Sequence, residues 1–467
     1  MPDFSEYGDA KRVFYFFEEI SKIPRGSGNT EKIADYIEAF AKERKLFYHR
    51  DGANNVVIKK IGSRGRENEA PVILQGHTDM VIATEDSVKR DMESEGLMLY
   101  IDGEYLRAKG TTLGADDGIA VAYMLALLDS NDISHPPLEA VFTSDEEIGL
   151  IGAGALDTSI LCGRTMINLD SDEEGVFIAG CAGGRRVDFS VSAEAKANPY
   201  AYKLSVLGLS GGHSGMEIAN GRENAIKILG ELIPEGARIG QISGGNADNA
   251  IPRYAECLIY PKGDIEKRIE KAFLKYLKNE PGLEIKCEKC ENGAALFSDA
   301  DSKKVKEIIC RADSGVIAMN KDIPTLVDTS QNLGVIRTRE RSVDISFSVR
   351  SSSENEKEAT VTKLSAIARE YGASLSQHGD YPGWEYKSKS RIREIFSSAY
   401  EGLFGKKPQT LIIHAGLECG IFCGKIAGLD CISLGPKNLD IHTTEERLSI
   451  PSAVRYWELM KQALKNI

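Results

Sequence analysis

The sequence predicts an α/β protein with a second, α+β module inserted into it. Three observations carry that prediction. The N-terminal stretch alternates short apolar runs, the mark of buried strands, with helical segments. After about Gly184 the texture changes to alternating apolar and polar residues, as in half-exposed antiparallel strands. Near the C-terminus the short buried runs return. This places a smaller domain, residues 186–383, inside a larger one made of residues 1–185 and 384–467. At roughly 150 residues per domain, the 467-residue chain has room for both.

Each element follows from its pattern. Val13, Phe16, Phe17 and Ile20 recur at helical spacing, and so do Ile33, Tyr36, Ile37 and Phe40, giving each segment one apolar face. Residues 56–58, 72–74, 138–142 and 165–169 are apolar runs bounded by Gly, Asp or Asn, and residues 119–128 read as an apolar helix among them. Strands alternating with helices imply a sheet covered on both faces. In the middle module, RRVDFSVSAEA, YKLSVLGLS and RSVDISFSVRS repeat with period two, with helices over 223–232 and 356–371 between them. LIIHAG and DCISLGP restore the buried-strand pattern, and a helix over 451–464 follows.

Composition excludes several classes of function. Lys plus Arg number 58 against 70 Asp plus Glu, a net charge of −12, which argues against nucleic acid or an anionic membrane as partner. With 42% hydrophobic and 27% charged residues, the chain is not a disordered one. Its longest nearly apolar run, 119–128, is about half the ~20 residues that span a bilayer. The opening MPDFSEYGDAKR lacks the basic start and apolar stretch of a secretory signal. Nine scattered cysteines then read as free thiols in a reducing cytoplasm. Cys287 and Cys290 form a lone CxxC with no second pair, which reads as structural rather than as a zinc site.

The chemistry gathers at strand ends, where open α/β sheets place their sites. In VILQGHTDMV, His77 follows a buried strand and Asp79 lies two residues on. A neutral imidazole ligates metal well, and a nearby carboxylate can fix its ring; a His bonded in a turn is the plain alternative. In GTTLGADDGIAVA, Asp116 or Asp117 either caps the helix or binds metal, and two adjacent acids allow one to do each. EAVFTSDEEIGLIGA sets Asp145, Glu146 and Glu147 after a buried strand, where mutual repulsion would be relieved by a divalent cation. One of the two glutamates can bind metal while the other serves as general base. TMINLDSDEEG repeats the arrangement with Asp170, whereas Asp172, Glu173 and Glu174 read as a solvated turn. Further candidates are His213 in GLSGGHSG, Asn249 in GGNADNAIPR, Arg350 in SVRSS, Glu418 in HAGLECG and His442 in GPKNLDIHTTEERL. His213 is either a loop surface residue or a donor brought over a site. Arg350 either pairs with an acid or captures a carboxylate with its fork.

In that order, HTD, GADDG, SDEEIG, NLD, GGHSG and IHTTEER resemble the di-zinc exopeptidases with an inserted lid domain, over nearly the whole chain. HAGLECG and GCAGG resemble the aminoacyl-histidine dipeptidase branch, also called Xaa-His or cytosol non-specific dipeptidases; the tripeptide aminopeptidases share GADD and DEE. The resemblance implies that His77 and Asp170 bind one zinc, Glu147 and His442 the other, and that Asp116 bridges them. It implies Asp79 as the residue orienting His77, Glu146 as general base and His213 as the donor to the tetrahedral oxyanion. Asn249 and Arg350 would contact substrate, Arg350 at its C-terminal carboxylate, with Glu418 the candidate for its amine. The expected activity is hydrolysis of unblocked dipeptides, those ending in His among the candidates. A tripeptide aminopeptidase or N-acyl-amino-acid deacylase on the same scaffold is the alternative, and a catalytically dead binding protein is the rival of another class. Two divalent ions are expected, zinc first, with cobalt or manganese also suited to such ligands. Short peptides are the expected partners, and a homodimer is left open.

Overall fold

The structure, a computed structural model, describes residues 2–260, 264–291, 293–320 and 323–467. The chain divides into two compact units. One comprises Met1–Gly180, Tyr386–Ile412 and Leu417–Ile467, and the other Cys181–Glu385 with Ile413–Gly416. The divisions fall a few residues outside those read from the sequence, because the strand Gly183–Ser192 starts within the glycines before the alternating pattern begins. The short return of 413–416 has no signal in composition; His414 bonds there to Ser330, and Ile413 O accepts the Ala182 N–H at 3.1 Å.

The first unit is built on an eight-stranded sheet. Its strands are β1 (Phe47–Arg50), β2 (Val56–Lys60), β3 (Val72–His77), β4 (Leu138–Thr143), β5 (Thr165–Asn168), β6 (Val176–Cys181), β7 (Gln409–Ile413) and β8 (Asp430–Ser433). The spatial order is β1-β2-β4-β3-β5-β8-β6-β7. β3, β4, β5 and β8 form the parallel centre, and β3 and β4 are buried along their whole length. That is why they read as continuous apolar runs. The helix Ala115–Asp129 is apolar on all sides and lies in the core. The amphipathic helices Lys11–Ser21, Glu31–Glu43, Arg391–Phe404 and Ile450–Asn466 bury one face each in the same core.

A four-stranded sheet was not anticipated. It pairs the hairpin Leu99–Asp102 and Tyr105–Ala108 with the short strands Arg447–Ser449 and Asn438–Leu439. Strands of two to four residues leave too little periodicity to read. This sheet holds the segment around His442.

The second unit is an eleven-stranded sheet whose pairings are antiparallel. Its long strands Gly183–Ser192, Val327–Thr338 and Ser342–Ser351 alternate between buried and partly exposed residues. The helices Ala225–Leu232, Asp299–Arg311 and Glu354–Tyr371 pack on the buried face. Asn224 caps the first of them by accepting the N–H of Ile226 and Lys227. Among the described residues no helix is long and apolar enough to cross a membrane, and no disulfide joins the cysteines.

Candidate metal centre

His77 ends β3 and is buried. Its Nδ1 lies 3.2 Å from the Asp79 carbonyl oxygen and 3.3 Å from Asp79 Oδ1. A proton on Nδ1 serves both contacts; Nε2, 3.0 Å from Asp116 Oδ1, donates to it when protonated and offers its lone pair to a cation when not. Asp79 is itself fixed: it accepts the Ser27 hydroxyl at 2.7 Å and the N–H of Glu146 and Glu147 at 3.0 and 3.3 Å. One carboxylate thus orients the imidazole at the end of β3 and the acidic turn after β4.

Asp116 is the hub. Its second oxygen, Oδ2, lies 3.0 Å from His442 Nε2, and the same nitrogen is 2.8 Å from Glu147 Oε1. Glu147 Oε1 is nonetheless buried without a hydrogen bond. Three sets of donor atoms lie within 4.8 Å of one another: His77 with Asp116 and Asp170, Asp116 with Glu147 and His442, and His77 with Glu146 and Glu147. The first two share Asp116.

The electrostatics fit a cation. Burial opposes the charged form of His77, yet Asp116 and Asp79 outweigh it and hold the imidazole well above its usual range. Asp116 and Glu147 push His442 up to about 10. Burial raises Asp170 well above the usual carboxylate range, and burial likewise raises Glu146 to about 8, the neighbouring acids adding to both. Four carboxyls and two imidazoles packed this closely need either borrowed protons or bound cations. The donor set, an oriented imidazole whose Nε2 faces a shared carboxylate, suits a divalent metal ion.

The cluster separates neighbours that look equivalent in the sequence. Asp117 caps no helix; it is buried and accepts the His77 backbone N–H at 3.2 Å. Asp145 turns aside to accept the Gly28 N–H at 2.7 Å. Glu174 pairs with Arg455 through two contacts of 2.7 and 2.6 Å. Asp145 and His442 both have left-handed backbone, with φ of 52° and 64°. Such strain in residues other than glycine concentrates at functional sites.

Two further buried residues, to which the motifs assign no role, hold this site. Glu446, four residues after His442, accepts the N–H of Leu113, Gly114 and Ala115 at 2.8, 2.8 and 2.9 Å, that of Asp116 at 3.3 Å, and the Asn438 amide at 3.0 Å. Arg25 donates to the carbonyls of Thr78 at 3.0 Å and Asp79 at 3.2 Å, and also to that of Gly114. The loop carrying Asp116 is therefore gripped by an anion through its N–H groups and by a cation through a carbonyl. Gly114 has φ 64°, and a Cβ there would meet Met80 Sδ at 2.5 Å and Arg25 Nη2 at 2.7 Å. A signal for Glu446 exists in IHTTEER, though nothing in it tells Glu446 from Glu445.

Glu418 belongs to the first unit and is 0% exposed. Its Oε2 accepts the Thr143 hydroxyl at 2.8 Å and the Gln75 amide, and burial pushes it up to about 7. A substrate amine has no access to a carboxyl so enclosed, which corrects the role read from its motif.

His213, Asn249 and Arg350 belong to the second unit and gather there with His414. Gly212–His213 pairs with Ala250–Ile251, and the carbonyl of exposed Asn249 accepts the Ser214 N–H at 2.8 Å. His213 Nδ1 accepts the N–H of Gly215 and Met216 at 3.2 and 3.1 Å, so its Nε2 carries the proton. Burial, then Arg350, lower His213 from its usual value, and the same two causes bring His414 to about 4. Arg350 Nη1 donates to the Tyr381 hydroxyl at 2.9 Å, while its Nε is buried with no partner. His414 Nε2 lies 2.7 Å from Ser330 Oγ. Cys287 and Cys290 enter none of the metal-capable groups among the described residues.

The family model of peptidase family M20/M25/M40 matches residues 73–466. The chain is 36% identical to the cytosol non-specific dipeptidase of Escherichia coli over 97% of its own length and 96% of that protein's. It superposes on the aminoacylhistidine dipeptidase of Vibrio alginolyticus with a TM-score of 0.91 and 35% identity, covering 98% of this chain and 96% of that one. An aminopeptidase of Bacillus cereus shares the fold, with a TM-score of 0.59 and 18% identity over 97% and 98% of the two chains. A family match across most of the chain, supported by relatives that share more than a third of its residues end to end, leaves a single conclusion: the chain belongs to peptidase family M20/M25/M40.

Proposed function

We propose that the chain is a metal-dependent dipeptidase that hydrolyses unblocked dipeptides. The observation that carries this reading is the pair of ligand sets sharing Asp116, with Glu146 beside them. His77 and Asp170 would hold one divalent ion, Glu147 and His442 the other, and Asp116 would serve both. Bound there, two such ions supply Lewis acidity, polarising the scissile carbonyl and easing deprotonation of the attacking water. Zinc fits the His and carboxylate donors, as do cobalt and manganese.

The residues of the chain do the rest. Asp79 holds His77 in the tautomer that presents Nε2. Glu146 takes the proton of the attacking water and delivers it to the leaving amine. His213, with its proton on Nε2, donates to the oxyanion of the tetrahedral state. Arg350 keeps one guanidinium nitrogen without a partner and pairs with the substrate's C-terminal carboxylate, with Asn249 contacting the peptide. Two relatives, a cytosol non-specific dipeptidase and an aminoacylhistidine dipeptidase, support dipeptides as substrates, and the first supports the cytoplasm as location. A homodimer belongs to the same reading and is checked by sedimentation.

The test joins metal analysis with a substrate panel. Active protein should carry two divalent ions per chain. It should prefer a free dipeptide over its amide, its one-residue extension and N-acylated amino acids in kcat/KM. Active protein without a divalent ion would overturn the mechanism. Equal rates on all of the substrates would return the reading to a broader aminopeptidase or deacylase.

A further inference from the structure

Three strand ends carry His77, Glu146 with Glu147, and Asp170 of the candidate centre, and each bears a buried polar residue just before them. On β3, Gln75 lies two residues before His77; on β5 and the turn after it, Asn168 lies two before Asp170; on β4, Thr143 lies three before Glu146. Residues two apart on a strand share a face, so Gln75 projects to the side of the sheet that His77 does. All three polar residues are 0% exposed, as is Glu418 at the start of the helix Glu418–Lys425.

Their side chains form one connected network. The Asn168 amide donates to Gln75 Oε1 at 2.7 Å. The Gln75 amide donates to Thr143 Oγ1 at 3.1 Å and to Glu418 Oε2. The Thr143 hydroxyl donates to the same Glu418 oxygen at 2.8 Å. We propose that Glu418 is a positioning residue of the metal centre: from within the core its carboxyl ties together the strand ends that present His77 and Glu146 with Glu147, and through Gln75 the one that presents Asp170.

Stability alone does not account for a carboxyl at this place. A buried polar group is costly unless its hydrogen bonds are complete. Here Glu418 Oε1 and Asn168 Oδ1 are both buried without a partner. An apolar side chain of similar volume would fill the space between the strands and the helix without the unpaired Oε1, although a Gln75 N–H would then lose its acceptor. What it would not do is hold the Gln75 amide and the Thr143 hydroxyl to one point. Ligand geometry must be kept to within about 0.5 Å for a metal site to work, and that precision comes from supporting hydrogen bonds.

The inference rests on the metal-dependent reading above, and its test separates the two. Apo protein, full length, is titrated with Zn²⁺ against a competing chelator for wild type, Glu418→Ala, Glu418→Gln and Thr143→Val, with kcat and KM for one free dipeptide. Glu418→Ala should weaken Zn²⁺ binding about 10–100-fold and lower kcat by a similar factor, with KM little changed. Glu418→Gln keeps a carbonyl oxygen that accepts from both Gln75 and Thr143, and it should restore most of the affinity and the rate. If Glu418→Ala does not fold, Thr143→Val decides: weaker Zn²⁺ binding at an unchanged melting temperature supports the proposal, and wild-type binding overturns it. Equal impairment of the Gln and Ala variants, expressed in KM, would make Glu418 a substrate contact and overturn it as well. Wild-type protein that takes up no Zn²⁺ overturns both readings. Wild type and Glu418→Ala binding Zn²⁺ equally well overturns only this one.

Discussion

The two units concentrate opposite kinds of chemistry. In the first, Asp116, Glu146, Glu147 and Asp170 crowd around His77 and His442, and burial raises Asp170 and Glu146 while the acids raise both imidazoles. In the second, His213, Arg350 and His414 gather, and burial together with Arg350 lowers both imidazoles. The same residue type is driven in opposite directions because its neighbours differ in sign. The first cluster is an acceptor array that wants cations. The second is a donor array, neutral at its histidines and positive at Arg350, that suits a carboxylate and a developing oxyanion.

The largest effect should break the first array alone. Stripping divalent ions with a chelator should abolish turnover, and adding zinc, cobalt or manganese back should restore it; the folded second unit should be unmoved in a melting curve. Glu146→Gln should come next, lowering kcat on the order of 10²–10⁴-fold with metal content intact, since it removes the base and not a ligand. Glu147→Gln should instead lose metal, and the reverse pattern in metal analysis would exchange the two roles.

The second array is tested by changes that must leave metal content alone. His213→Ala should cost kcat about 10²–10³-fold, the usual effect of losing one oxyanion donor. A loss seen only in KM would make it a uniform binding contact. Arg350→Ala should lower kcat/KM for a free dipeptide by on the order of 100-fold and hardly touch the amide, because removing one member of a buried pair strands the other. Metal loss in either variant would break the division of labour. The smallest effect is on stability. His414 is held near 4 when folded, below its value in the unfolded chain, so unfolding takes up a proton as the pH falls through about 6.5. Its contribution is present above that pH and lost toward pH 4. His414→Gln should therefore flatten the acid side of the melting-temperature profile by about one proton's worth of slope.

These arrays differ also in how openly the sequence declares them. His77, Glu147 and Asp170 sit where an apolar run stops, so a period break marks them, and the central sheet could be read from the same runs. Arg25 and Glu446 are equally buried, yet they act through backbone N–H and carbonyl groups, which no side-chain pattern records. Glu418 misleads for a related reason. The resemblance offers it to a substrate amine, whereas its partners Gln75 and Thr143 lie hundreds of residues away on strands that read as apolar. His414 stays silent because the four-residue return 413–416 is too short to have a texture of its own. Asp116 and Asp117 are indistinguishable in composition, and only their tertiary surroundings divide them.

The strand order of the first unit has a consequence for the growing chain on the ribosome. β8 lies between β5 and β6, yet it is formed by residues 430–433, after the whole of Cys181–Glu385 has been made. Until then the sheet has a gap at its centre, with β5 showing an unpaired edge, and Glu446 is not there to grip the loop of Asp116. Exposed edges of apolar strands invite pairing with other chains. The inserted unit, almost continuous in sequence, can close first, and the first unit matures last, which places a period of aggregation risk during translation.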